Sequence, residues 1–240
     1  MKRLFVAALK EETPGLNFFN YTGAGKINAA YHITKLIIKY KPLEVINFGS
    51  AGSLKKDLNG LIECTKFYQR DMDARGLNFA LGETPFDEIK EIILSNNGYS
   101  CGSGDSFVTS RIEMNVDVVD MEAYAIAKVC QKENVKFRCF KFISDEANEN
   151  AKIDWIENCQ KGATLFLEQA KKLLFISSAF SRSSLWSNVN KDVFSGVIIK
   201  SAFFLIEPII KSVVFSKLEK TLLSDVSWIQ ETLNIIYSIW

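Results

Sequence analysis

Histidine is almost missing from this chain: His32 is the only one in 240 residues. A triad built on imidazole, or a metal centre built on several, therefore has almost no material to work with. The five cysteines, Cys64, Cys101, Cys130, Cys139 and Cys159, are scattered and form no CxxC pair. Their spacing excludes a zinc ribbon and a disulfide framework and fits reduced thiols. Excess charge is lacking too. With 29 basic against 28 acidic residues the net charge is +1. No long-range field draws in nucleic acid or an anionic membrane, and a small neutral or zwitterionic ligand fits better. The opening MKRLFVAALKEE holds only the short apolar stretch LFVAAL, too short for a secretion signal, so the protein is expected to be cytoplasmic. Nor is GAGK, at 23–26, a nucleotide-binding loop, because it lacks the Walker spacing and no Ser or Thr follows it.

What is present is a globular composition, 48% hydrophobic and 24% charged. Strand-like runs alternate with helical ones. RLFVAAL precedes a helix over AAYHITKLIIKY and a strand LEVINFG. VDVVD, helix AYAIAKVCQKE, strand FRCFKFIS and one helix over WIENCQKGATLFLEQAKKLL follow. This order predicts an α/β fold with a mixed, mostly parallel central sheet flanked by helices. The texture changes beyond Lys172. A Ser-rich stretch, ISSAFSRSSLWSNVN, leads into VFSGVIIKSAFFLIEPIIKSVVF, where Lys200, Glu207, Pro208 and Lys211 interrupt the apolar residues. Residues 173–240 read as an apolar helical extension of unassigned role. Two short amphipathic helices there would lie on the main domain, on a partner or on a membrane surface.

Since acid/base work falls to carboxylates, their placement matters. Asp120 and Glu122 interrupt VVDMEAYAIA where a strand turns into a helix, the end at which an open α/β sheet exposes ligands. One reading makes them a helix cap and a first-turn dipole partner; another makes them ligand-facing. Four further segments have the same character: Lys10-Glu11-Glu12, Gly49-Ser50-Ala51-Gly52, Ser103-Gly104-Asp105-Ser106-Phe107-Val108 and Ile143-Ser144-Asp145-Glu146-Ala147.

In order and spacing, GSAGSL, SGDSFV, VVDMEAYAIAKVC and FISDEA resemble the 5′-methylthioadenosine/S-adenosylhomocysteine nucleosidases of the nucleoside phosphorylase superfamily. YQRDMDARGLNFALGETPF resembles that family's loop between the second and third motifs. The resemblance implies a nucleoside phosphorylase-like catalytic domain over residues 1–172, shortened near its start by at least two strands. It also implies hydrolysis of the N-glycosidic bond of 5′-methylthioadenosine or S-adenosylhomocysteine, releasing adenine and a thioribose.

By resemblance Asp145 is the general acid that protonates adenine at N7, with Ser144 orienting it, and Glu12 activates water beside Ser50. The choice of Glu12 over Glu11 follows the register of the first strand. Ala51 and Gly52 border the substrate, Phe107 and Val108 form the adenine site, Met121 packs on the sugar and Glu122 accepts the ribose hydroxyls. Asp120 is then Glu122's neighbour at the turn. Lys141 stands where the family often carries an arginine near the water. Trp155 has two readings, a wall of the alkylthio pocket and a helix-face core residue. No metal or organic cofactor is called for, and homodimerisation is implied. Two other functions remain as alternatives: phosphate-dependent cleavage of a purine nucleoside, and a catalytically impaired nucleoside-binding homologue. Against the former, Glu11 and Glu12 would repel a phosphate.

Overall fold

The computed structural model describes residues 2–173. Its eight-stranded sheet is built around β3 (Glu44–Ser53), whose residues are almost all buried. Nearly unbroken burial explains why EVINFGSAGS carries no polar alternation: both faces of the strand are covered. β1 (Arg3–Ala7) runs parallel to it and carries β2 (Asn20–Tyr21) as a short parallel edge. β4 (Leu61–Gln69), β6 (Tyr99–Ser103), β7 (Val118–Asp120) and β8 (Lys136–Asp145) complete the body of the sheet, and β5 (Ile92–Ile93) is a short strand on β4.

The pairings β3–β8, β8–β4, β4–β6, β6–β7 and β7–β3 form a closed ring. The shortened start lies outside this ring, in the two-residue β2. Compression there leaves the closure of the sheet intact.

α1 (Lys26–Tyr40) buries Ala29, Ile33 and Ile37, a stripe at four-residue spacing, against α2 (Ala123–Lys132) and the sheet. It ends at Lys41, which takes a left-handed conformation (φ 46°) and donates its N–H to the Ile37 carbonyl, just before Pro42. In α2 the small residues Ala123, Ala125 and Ala127 let the helix lie close on the strands.

The single helix expected from Trp155 onward is two. α3 spans Ala151–Asn158, residues 159–161 turn, and α4 covers 162–173. The break lets two side chains reach different places. Trp155 on α3 approaches Ser50, while Phe166 on α4 stacks on Phe48 with centroids 4.6 Å apart and meets Phe5, Phe19 and Phe140. Gly162 opens α4 where the chain crosses Phe142; a Cβ there would lie 2.5 Å from the Phe142 Cβ. Leu173 is buried in the same aromatic cluster, and Arg3 donates to its carbonyl at 2.7 Å. α4 runs to residue 173, the last one described. The extension beyond it, with its expected amphipathic helices, lies outside the described residues. Among the described residues no helix is long and apolar enough to cross a membrane. All five cysteines are free and buried.

Candidate active site

A cavity of about 580 Å³, counting its open mouth, lies at the carboxyl ends of β3, β4, β7 and β8. β3 and β8 run parallel while β7 and β4 run against them, so the cavity collects residues from the ends of strands of both directions. All ten residues singled out in the sequence line it: Glu12, Ser50, Ala51, Gly52, Phe107, Val108, Met121, Glu122, Ser144 and Asp145. Trp155 lines it as well.

One wall is built on Glu12. A 3-10 turn, Lys10–Glu12, follows β1 and points Glu11 to solvent and Glu12 inward, where it is 4% exposed. Its Oε1 accepts the Ser50 N–H and the Ser50 hydroxyl, both at 2.7 Å, and its Oε2 accepts the Leu9 N–H at 3.1 Å. Trp155 Nε1 donates to the same Ser50 hydroxyl at 2.8 Å, so indole, hydroxyl and carboxylate form one directed chain. Trp155 thus belongs to the site through its polar edge.

A second wall is the β7–α2 turn. Here Asp120 and Glu122 divide the two readings between them. Asp120 serves the helix start: its Oδ2 accepts the Ala123 N–H at 2.8 Å and its Oδ1 the Ser103 hydroxyl at 2.5 Å. Glu122 sits at the N-cap position but makes no side-chain cap bond; its Oε1 instead accepts the Gly25 N–H at 2.9 Å.

Lys141, read from the sequence as a charge near the water, has a different main partner. It is 1% exposed, and its Nζ lies 2.7 Å from Asp120 Oδ2. Gly49, its register partner on β3, leaves the space between it and Glu12 open: a Cβ on Gly49 would stand 3.1 Å from Lys141 Nζ and 3.3 Å from Glu12 Oε1. Burial alone would push the Asp120 carboxyl up, but the Lys141 ammonium outweighs it and holds the group below the usual range. Glu122 has no such partner. Burial first, and the Asp120 charge second, push it up to about 8.

The third wall carries Asp145. The β3–β8 pairing runs evenly to Ala51↔Ile143 and then shifts to Gly52↔Asp145, leaving Ser144 as the extra residue of a bulge. Bulges re-aim side chains, and this one sits where Ser144 and Asp145 meet the cavity. Asp145 Oδ2 accepts the Ser144 hydroxyl at 2.8 Å and Oδ1 the Ala147 N–H at 2.9 Å. Burial pushes the Asp145 carboxyl up, against the pull of those two donors. Gly52 is needed for this approach, since a Cβ there would lie 2.6 Å from Asp145 Oδ1.

Phe107 and Val108 close the rim; Phe107 is 45% exposed, so it is not a core phenylalanine. Sequence reasoning missed Ala8, Leu9, Ala24 and Arg70, which also line the cavity. The apolar ones carry no signal of their own. Arg70 had one, two adjacent opposite charges, Arg70-Asp71, just past the end of a strand.

The Phosphorylase superfamily model matches residues 101–174. The chain is 32% identical over 168 residues to the 5′-methylthioadenosine/S-adenosylhomocysteine nucleosidase of Staphylococcus aureus, a match covering 59% of this chain and 74% of that protein. Among solved structures it shares its fold with a Helicobacter pylori nucleosidase of that name in complex with a substituted pyrrolidin-3-ol. There the TM-score is 0.63 at 24% identity, covering 72% of this chain and 97% of the other. The futalosine hydrolase of Helicobacter pylori matches at a TM-score of 0.64 and 23% identity, over 72% of this chain and 98% of that one. The ring of strands, the carboxylate-walled cavity at its open end and this relatedness lead to one conclusion: the chain belongs to the 5′-methylthioadenosine/S-adenosylhomocysteine nucleosidase family.

Proposed function

We propose that the protein hydrolyses the N-glycosidic bond of 5′-methylthioadenosine or S-adenosylhomocysteine, with Asp145 as general acid and Glu12 as the group that activates water. The observation that carries this reading is the contrast between two carboxyl groups on one cavity. Three donors, from Leu9 and Ser50, hold Glu12 in place, whereas on Asp145 burial outweighs the Ser144 and Ala147 donors and pushes the carboxyl up. Cleaving a ribosyl C–N bond builds positive charge on the sugar and negative charge on the departing base, so it needs a proton donor at one end and a water-orienting acceptor at the other. Asp145 passes its proton to N7 as the C–N electrons leave with adenine. Water then adds to the anomeric carbon and loses its proton to Glu12. Glu122 binds the ribose hydroxyls, Met121 packs on the sugar, and Phe107 stacks on the purine while Val108 meets its edge.

Purified protein should release adenine from 5′-methylthioadenosine at equal rates with and without phosphate. A strict phosphate requirement would place it with the phosphorylases; adenosine-analogue binding without release would mark an impaired homologue. A homodimer accompanies this reading through the family resemblance and a cytoplasmic location through the scattered, unpaired cysteines, and light scattering that reports a monomer would remove the former.

The state of Glu122 yields a pH prediction. Its folded-state pKa is raised, so between the ordinary carboxylate range and about 8 the folded protein keeps a proton that the unfolded chain has lost. Stability from this group is then fully present at low pH and is lost as pH rises through that window. Glu122→Gln cannot ionise. Its Tm relative to the wild type should climb between pH 5 and pH 8 and level off above; a difference that stays flat across that range would contradict a protonated Glu122.

A further inference from the structure

We infer that Arg70 and Asp71, at the end of β4, are positioning residues for the loop that carries Phe107 and Val108. Purine affinity would then be set from the neighbouring strand as well as from the loop itself. The inference rests on the purine role proposed above for Phe107 and Val108.

β4 and β6 leave the sheet side by side, paired in parallel through Gln69↔Ser103. The next residues of each strand face one another: Arg70 and Asp71 against Gly104, Asp105 and Ser106. Arg70 donates to the Gly104 carbonyl at 3.2 Å, to the Ser106 hydroxyl at 3.2 Å and to the Ser106 carbonyl. It forms no ion pair among the described residues, and its Nε is buried without a partner, so its charge is directed at loop carbonyls. Gly104 permits this approach. A Cβ there would lie 2.7 Å from the centre of the guanidinium, so a larger residue would require the fork to shift.

Asp71 grips the same loop with the opposite sign. Its Oδ2 accepts the Asp105 N–H at 2.8 Å, and its carboxylate pairs with Lys26 Nζ at 2.5 Å. Lys26 in turn reaches Asp105 Oδ2 at 3.1 Å through its ammonium and Asp105 Oδ1 at 2.7 Å through its backbone N–H. The adjacent N–H, of Gly25, is bonded to Glu122. Two successive N–H groups at the start of α1 thus tie the loop and the ribose-side carboxylate to one frame.

Burial cannot hold the loop in place, because Asp105, Ser106 and Phe107 are all exposed. Its polar contacts hold it. A planar fork can serve two carbonyls and a hydroxyl at once, which a lysine ammonium, a point charge on a flexible stem, cannot match.

The test is Arg70→Lys, with Asp71→Asn as the second variant should the first not fold. Losing a charge-assisted bond corresponds to about tenfold or more in affinity. Arg70→Lys should therefore raise KM for the nucleoside and Kd for adenine by about tenfold, with kcat within about threefold and the affinity for the thioribose product unchanged. Amide hydrogen exchange at residues 104–108 should speed up in the variant without any ligand. Unchanged exchange and unchanged adenine Kd would overturn the inference, as would equal losses for adenine and thioribose. Exchange that speeds up in a protein whose wild type binds no adenine would support the positioning role and sink the purine reading instead.

Discussion

Asp145→Asn lowers kcat by about 10² to 10⁴, the range that a positioned general acid contributes, while Tm stays within a few degrees of the wild type. The two halves of this expectation rest on separate contacts. An amide oxygen at Oδ1 still accepts the Ala147 N–H, and an amide nitrogen at Oδ2 can donate to the Ser144 hydroxyl, which also lies 3.4 Å from the Ala51 carbonyl. The polar network around the bulge is preserved with its direction reversed at one bond. What is lost is the transferable proton. Adenine is a poor leaving group as an anion, so departure without protonation leaves charge stranded in a partly buried cavity. Stopped-assay measurement of adenine release, beside a thermal melt, decides the matter. A variant that keeps its rate would remove Asp145 from the mechanism, and one that loses rate together with Tm would show a structural role.

Lys141→Met has its largest effect on stability. The wild-type pair lies wholly inside the protein, with Lys141 1% and Asp120 7% exposed and 2.7 Å between charges. Removing the cation leaves Asp120 with the Ser103 hydroxyl and the Ala123 N–H as its remaining donors. A buried charge stripped of its partner costs about 3–5 kcal/mol, roughly 10 °C in Tm for a domain of this size. The sign of the pH dependence follows. Lys141 holds the folded-state pKa of Asp120 down, so the stabilisation is complete above the ordinary carboxylate range and fades only as pH falls through the lowered value. Without Lys141 the folded pKa of Asp120 rises, and protonation relieves the stranded charge. The gap between variant and wild type should therefore narrow from pH 7.5 to pH 5. Asp120→Asn combined with Lys141→Met should recover most of the loss, since an uncharged pair leaves nothing to compensate. Urea unfolding of the two singles and the double at both pH values measures this. Additive losses would show that the two residues do not act as a pair.

This coupling joins the site to the scaffold. Asp120 caps α2 and binds the buried lysine, and its charge, after burial, helps push Glu122 up to about 8. The two members of this buried ion pair therefore also act, in opposite directions, on the proposed ribose-binding group two residues from Asp120. Changing Asp120 would alter stability and ligand binding together, whereas the loop contacts of Arg70 affect binding with little demand on the core.

The sequence by itself determined the elements with strong periodicity or continuous burial: β1, β3, β8, α1 and α2 lie where their apolar patterns put them. It also determined which ten residues meet at the cavity, because short motifs at strand ends were recognisable in order. Its silence concerned pairings between distant segments. Lys141 reads as a charge near the water, and only the closed ring brings it against Asp120 in β7. The register of the first strand favours Glu12 over Glu11, and the 3-10 turn after that strand is what buries it. The bulge at Ser144 and the break between α3 and α4 have the same origin: each serves a contact made elsewhere, on Gly52 in one case and on Ser50 and Phe48 in the other. Local patterns record how one element meets the core. Which charge faces which, and which turn aims a carboxylate into a cavity, depends on register and packing among elements far apart in the chain, and the tertiary structure alone decided those.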